Sequence, residues 1–242
     1  MNPAFFAIVV LAVAVEAAAG FGATVITVTL ASHLLPLDEV LATFMPVNVV
    51  LALWILARNR ALVDRRLLFR RILPTMGLGF LVGLLLVDRL GHPYLKATFG
   101  LLVVGLAAGE LIGAREAPPP SPFAARTALL GAGLIHGLFA CGGPLLVWVV
   151  GRELPDKGRF RATLQAVWLG LGVLLLVRYA LAESLTATTL GHSAWLLLAL
   201  VVALPIGEAV HRRIAPAPFR RAVFSLLLFA GGALAVRAVL PS

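Results

Sequence analysis

Eight apolar runs pattern the chain, near residues 3–35, 39–57, 67–88, 93–114, 126–151, 160–181, 188–210 and 218–240. Proline, glycine and charge separate them, as at Pro36 with Asp38 and Glu39, the arginine-rich stretch 58–71, and Gly91-His92-Pro93. A helical crossing of a bilayer needs roughly 20 apolar residues. The first run is too long for one. As a single helix, 3–35 would measure about 50 Å at 1.5 Å per residue, against a hydrocarbon core of about 30 Å. It contains "VEAAAGFGATVITVTL", residues 15–30, which places an acid, Glu16, four residues before Gly20-Phe21-Gly22. Broken there, the run fits as a hairpin whose two arms enter and leave by one face.

The fifth run, 126–151, is short enough for one tilted helix. It nevertheless reads "ACGGPLLVWVV", with glycines to end one arm and Pro144 where a new helix prefers its first residue. Between the fourth and fifth runs lies "REAPPPSPF", 115–123, whose prolines cannot continue a helix. It divides the chain near its middle. A shift of 120 pairs Gly22 with Gly142, Ala42-Thr43 with Ala162-Thr163, and Val47 with Val167. A shift of 124 pairs Gly83 with Gly207, Arg89 with Arg213, and Lys96 with Arg220. The glycine breaks, basic loops and helix lengths follow in the same order in both halves, which points to an internal duplication.

Charge discriminates between topologies. With eight full crossings the 20 Lys and Arg residues divide ten against ten. With a re-entrant hairpin opening each half they divide sixteen against four, the cytoplasmic excess a membrane protein normally shows. The predicted fold class is therefore an all-α polytopic membrane protein built from two inverted repeats. Residues 1–114 form the first, 115–125 the Pro-rich linker and 126–242 the second. Each repeat is a glycine-broken re-entrant hairpin plus three transmembrane helices, with eight full crossings as the alternative. Loops 58–71, 152–161 and 211–221 are expected to be cytoplasmic and both termini outside.

Composition excludes other classes. The chain of 242 residues is 61% hydrophobic and 13% charged, with a mean hydropathy of +1.01, far from a soluble domain. The net charge of +9 lies in short loops between apolar runs, so nucleic acid is not an expected partner. The lipid bilayer is. A single Cys141 excludes internal disulfides and cysteine-based metal clusters. The N-terminus, MNPAFFAIVV, lacks the basic region of a secretory signal and reads as mature protein.

The candidate chemistry gathers at the two breaks. Irregular backbone at membrane depth is tolerated where it lines a cavity or is buried in protein. Helix N-termini at Gly22-Ala23-Thr24 and Gly142-Gly143-Pro144 would converge near the midplane, and their N–H groups favour an anion. Gly20 and Gly143 belong to the same tips; close helix packing is the other use of such glycines. Glu16 and His136 are equivalent under the 120 shift and are candidates for a coupling proton, since ionisable residues inside membranes are commonly functional. For His136 the alternative is a hydrogen-bonded packing residue. Thr43 and Thr163 offer hydroxyls to an oxyanion or to a neighbouring helix. Asn48, Cys141 and Gln165 are further candidates to line the site. Glu208 and Glu110 read as solvated groups near helix ends, and Arg178 as a snorkelling one.

The glycine-broken hairpin, a "P.....AT" helix start, a basic loop and the "LKATFGLLVVGLAAGEL" helix together resemble the TauE/SafE sulfite exporter family. The second hairpin, "GLIHGLFACGGPLLVWVV", is similar to that family's second glycine-rich hairpin. The resemblance covers nearly the whole chain and is carried at the tips by Gly20, Gly22, Gly142 and Gly143. It implies duplicated membrane modules that export sulfite, sulfonates or related small anions across the plasma (inner) membrane of a prokaryote. The resulting expectation is a secondary transporter working by alternating access, coupled to a proton or ion gradient, without a cofactor or metal. A passive anion channel is the alternative. A membrane-embedded enzyme using Glu16 and His136 is a weaker one, since no HExxH or GxSxG is present. Apolar helix faces leave room for either a monomer or a homo-oligomer.

Overall fold

The computed structural model describes residues 2–87, 89, 92–112, 120–213, 224–225, 228–233 and 235–236. The linker residues 115–119, most of the last apolar run, and Arg220, Arg221 and Arg237 lie outside the described residues, as do the side chains of Lys96 and Glu110. Among the described residues the regular structure is helical, without strands.

The first apolar run is two helices, α1 (Pro3–Ala19) and α2 (Ala23–Ala31). α1 starts where the Asn2 side chain accepts the Ala4 N–H at 2.9 Å, with Pro3 in the first turn. It stops at Gly20, whose φ of 88° is left-handed. Gly22 follows at φ 110°, so the chain reverses on two backbone conformations that side chains resist. α3 (Leu37–Asn59) ends in a tighter turn, Arg60–Leu62. α4 (Arg65–Val87) contains a π-helical turn, Leu68–Ile72. α5 (His92–Ile112) leads to α6 (Pro122–Phe139) and α7 (Gly143–Glu153). α8 (Lys157–Leu181) and α9 (Ala187–Arg213) complete the labelled helices. Among the described residues four helices, α3 with its terminal turn, α4, α8 and α9, are long and apolar enough to cross a membrane.

The fifth apolar run is also divided, with a boundary different from the expected one. α6 begins at Pro122, inside the predicted linker, because the Ser121 hydroxyl accepts the Ala124 N–H at 3.2 Å and Pro122 fits the first turn. It ends not on a glycine but on Ala140, left-handed at φ 56°. Gly142 has an ordinary φ of −68°. Its lack of a side chain matters for space, because a Cβ there would overlap the Ala132 carbonyl oxygen.

Backbone-to-backbone contact at small residues fixes the helix pairings. Gly133 rests on the Met76 carbonyl, Gly137 on that of Phe80, Gly79 on that of Leu130 and Gly83 on that of Leu134. Residue numbers rise together along both helices, so α4 and α6 run parallel. Small residues let helix backbones approach where lipid supplies no hydrophobic drive between helices. α1 and α9 are parallel by the same reading. The Phe6 and Trp195 rings are 4.4 Å apart, Gly207 rests on the Ala14 carbonyl and Ala17, and the His211 ring donates to the Ala18 carbonyl at 2.7 Å. α3 and α8 are antiparallel, with Asp64 at Thr163 and Val49 and Met45 at Gly172.

The basic loops 58–71 and 152–161 meet at one end of the molecule. Arg71 pairs with Glu153 at 2.6 Å and Arg159 with Asp64 at 2.8 Å. Asp64 also accepts the Leu67 N–H to start α4, and Asp156 accepts the Arg159 N–H to start α8. Arg58 stacks 3.9 Å over Trp54 and Arg152 lies 5.0 Å over Trp148 at the same end. α6 starts level with α4, its parallel neighbour, and the end of α7 is tied to Arg71 near the start of α4.

Candidate functional site

The two breaks are built by the same device. In the first, the N–H of Gly20 closes α1 on the Glu16 carbonyl at 2.7 Å, while the Glu16 carboxylate accepts the Ala23 N–H at 3.0 Å. In the second, the Ala140 N–H closes α6 on the His136 carbonyl at 2.8 Å. The His136 Nδ1 accepts the Gly142 N–H at 3.4 Å. An ionisable side chain in the last turn of the first arm thus reaches over the break to the N–H groups that begin the second. The four N–H groups opening a helix lack intrahelical partners and attract an acceptor. With Nδ1 accepting, the neutral imidazole carries its proton on Nε2, and that nitrogen is buried without a partner.

One turn of α8 joins the breaks. Gln165 Nε2 donates to the Gly20 carbonyl at 3.0 Å and to Glu16 Oε1 at 3.4 Å. Trp168 Nε1 donates to the same carbonyl at 3.0 Å. The other side of the Trp168 ring system stacks on His136, centroids 5.6 Å apart and 24° from parallel. Residues 165 and 168 share a helix face, so one turn holds an element of each break. The tips also lie close together, since a Cβ on Gly143 would stand 3.7 Å from the Phe21 ring and 3.8 Å from Trp168. Trp168 lies at the middle of the 25-residue α8.

Glu16, Thr24, Asn48, Cys141, His136 and Gln165 are all buried. Thr24 is in the first turn of α2, beside Ala23. The Gln165 Oε1, Asn48 Oδ1 and Thr43 hydroxyl have no hydrogen-bond partner, and neither do Thr27 and Thr29 farther along α2. Thr43 and Thr163 are not brought together. Thr163 accepts the Asp64 N–H at the basic end. The Thr43 carbonyl accepts the Ser193 hydroxyl at 2.7 Å near the start of α9, the opposite end. Among the described residues no group of three His, Cys, Asp or Glu is placed to hold a metal ion.

Three features escaped the sequence reading. Trp168 carried no motif, although its 120-shifted mate is the polar Asn48. Arg161 counted only as a loop charge, yet it is 4% exposed and its backbone lies against Gly20, where a Cβ would come within 3.2 Å of its Cα. Glu208 is not simply a solvated carboxylate at a helix end. It pairs with Arg161 and is 29% exposed, because parallel packing of α9 on α1 carries it to the first break.

Residues 5–234 match the family model described as Sulfite exporter TauE/SafE. The chain belongs to the TauE/SafE sulfite exporter family. It is accordingly a membrane transporter and not an enzyme. Over 169 residues it is 28% identical to the "Probable inner membrane transporter protein TsaS" of Comamonas testosteroni, an alignment covering 66% of this chain and 68% of that protein. No solved structure matches it.

Proposed function

We propose that this TauE/SafE transporter moves sulfite, a sulfonate or a related small oxyanion across the prokaryotic inner membrane by alternating access, with Glu16 linking anion to proton. The observation that carries this reading is the Glu16 carboxylate on the Ala23 N–H. A helix N-terminus buried among apolar helices favours an anion, and here an anion of the chain itself occupies it. With Glu16 ionised, a second negative charge is repelled. With Glu16 protonated, the charge is removed and the N–H groups of residues 22–24 and 142–143 face an incoming oxyanion. Proton and anion then bind together. The unpartnered Nε2–H of His136 is a further donor at the second tip.

Alternating access requires two units that move against each other, and the reading assigns them to two inverted repeats with re-entrant hairpins α1–α2 and α6–α7. The glycine contacts support it. Gly83 rests on Leu134 O and Gly137; Gly207, 124 residues later, rests on Ala14 O and Ala17, each 120 residues earlier. The second crossing of each half thus packs on the first arm of the other half's hairpin, through equivalent atoms. Antiparallel packing of the mates α3 and α8 fits an axis in the membrane plane. On this reading the basic loops lie in the cytoplasm and the N-terminus outside. The relative from Comamonas testosteroni, an inner membrane transporter by its name, supports the location.

The test is transport in proteoliposomes of sulfite, thiosulfate, sulfoacetate and chloride, with and without a proton gradient. Saturable oxyanion movement driven by the gradient, and uncoupled from it in Glu16→Gln, is the expected result. Current that follows voltage without proton coupling would favour a channel. Movement of no oxyanion would overturn the substrate class.

A further inference from the structure

Arg161 is the one buried Lys or Arg among the described residues. Its Nη2 donates to the Glu208 carboxylate, and its Nε has no partner. Nε and Nη2 form one edge of the guanidinium, the edge that grips a planar carboxylate or oxyanion with two parallel hydrogen bonds. Glu208 therefore fills half of that edge. The pair has an inner and an outer member, since the Arg161 side chain is 5% exposed and that of Glu208 29%.

Stability does not account for this arrangement. Withdrawing two charges from water costs about as much as their attraction returns, and apolar residues of similar volume commonly hold such a position as well. Position supplies a different reason. Arg161 stands one helical turn before Gln165, which binds both Glu16 and the Gly20 carbonyl. It is also one turn beyond Lys157, the first residue of α8, and two residues beyond Arg159, at the basic end of the helix. An anion approaching from that loop meets Arg161 before it meets the Gly20–Gly22 break.

We propose that Arg161 is an anion-docking residue on the basic-loop side of the transporter, with Glu208 as the resting counter-ion that a sulfite-class oxyanion displaces. The oxyanion takes the Nε–Nη2 edge, and Glu208 turns toward the solvent it already reaches. The docked anion then lies one turn of α8 from the α2 N-terminus. This inference rests on the oxyanion-transport reading of the site and adds a residue to it.

The experiment measures sulfite transport from each face of oriented proteoliposomes for wild type, Arg161→Gln, Glu208→Gln and the exchanged pair Arg161→Glu/Glu208→Arg. Thermal unfolding of each detergent-purified variant checks that the fold is retained. Arg161→Gln should raise the half-saturating concentration on the basic-loop face about tenfold or more, as losing a charged hydrogen bond predicts, with a smaller change on the other face. Glu208→Gln should lower it, because the competing carboxylate is gone. The exchanged pair should fold and still fail to transport. Restored transport in the exchanged pair would overturn the docking role, since a structural ion pair is indifferent to its direction. Unchanged half-saturation in a folded Arg161→Gln would also overturn it, leaving the oxyanion-transport reading intact. A wild type that carries no oxyanion would remove both.

Discussion

Glu16 and Ala23 are seven residues apart in the chain and meet across the Gly20–Gly22 break, the carboxylate accepting the Ala23 N–H at 3.0 Å. On the proposed reading the acid is both the cap of a helix N-terminus and a competitor for an incoming anion. Replacing it separates the two roles. Glu16→Gln keeps an oxygen to accept the N–H, so the purified protein should unfold within a few degrees of wild type. Transport of thiosulfate, whose charge is constant across neutral pH, should lose its pH dependence. In wild type, the half-saturating concentration should rise as Glu16 ionises with increasing pH. Glu16→Ala instead leaves a buried N–H unpaired and should cost about 1–3 kcal/mol of stability.

Gly22 is at φ 110°, where any side chain is strained, although a Cβ there would meet only ordinary contacts, with Val15 at 3.6 Å and Ile26 at 4.0 Å. Gly22→Leu should abolish transport while a folded protein is still recovered from the membrane. Normal transport by this variant would remove the hairpin tip from the site.

Trp168 holds the Gly20 carbonyl and stacks on His136. Trp168→Phe preserves an aromatic ring and deletes the donor. A loss of about 1 kcal/mol is expected, with faster amide hydrogen exchange at both breaks. Faster exchange at one break alone would show that the tips are not coupled through α8.

Gly83 and Gly207 meet backbone in equivalent ways. Gly83→Val and Gly207→Val should each prevent recovery of folded protein, because carbonyl groups of a packed helix cannot move aside. Gly170 and Gly191 have nothing near the place of a Cβ. Their alanine variants should fold normally and gain up to about 1 kcal/mol from helix propensity.

Orientation is open to single-cysteine labelling in a Cys141→Ala background. Positions 60 and 156, at the end where Arg159 pairs with Asp64, should react with an impermeant thiol reagent from the cytoplasmic side only. Positions 34 and 183 should react only from outside. Labelling of all four from one side would be incompatible with the topology.

Helix positions were legible because apolar length and punctuation are local properties. The runs 39–57, 67–88, 160–181 and 188–210 became helices ending within a few residues of those bounds. The break at Gly20–Gly22 was legible for the same reason, since both of its left-handed residues, on either side of Phe21, are written as glycine. The second break falls at Ala140, left-handed at φ 56°, rather than at its expected glycines, and no composition marks an alanine for that conformation.

What the sequence determined alone is a polytopic helical membrane protein of the TauE/SafE family, because hydropathy, charge and short motifs belong to each segment by itself. What tertiary structure decided is the company each residue keeps. Glu16 meets Gln165 and Gly20 meets Trp168 across more than 140 positions. Arg161 meets Glu208 through the register of two other helices. Such encounters depend on how backbones pack at Gly133, Gly137 and Gly207. That fit is a property of paired surfaces, and neither strand of the pairing encodes it without the other.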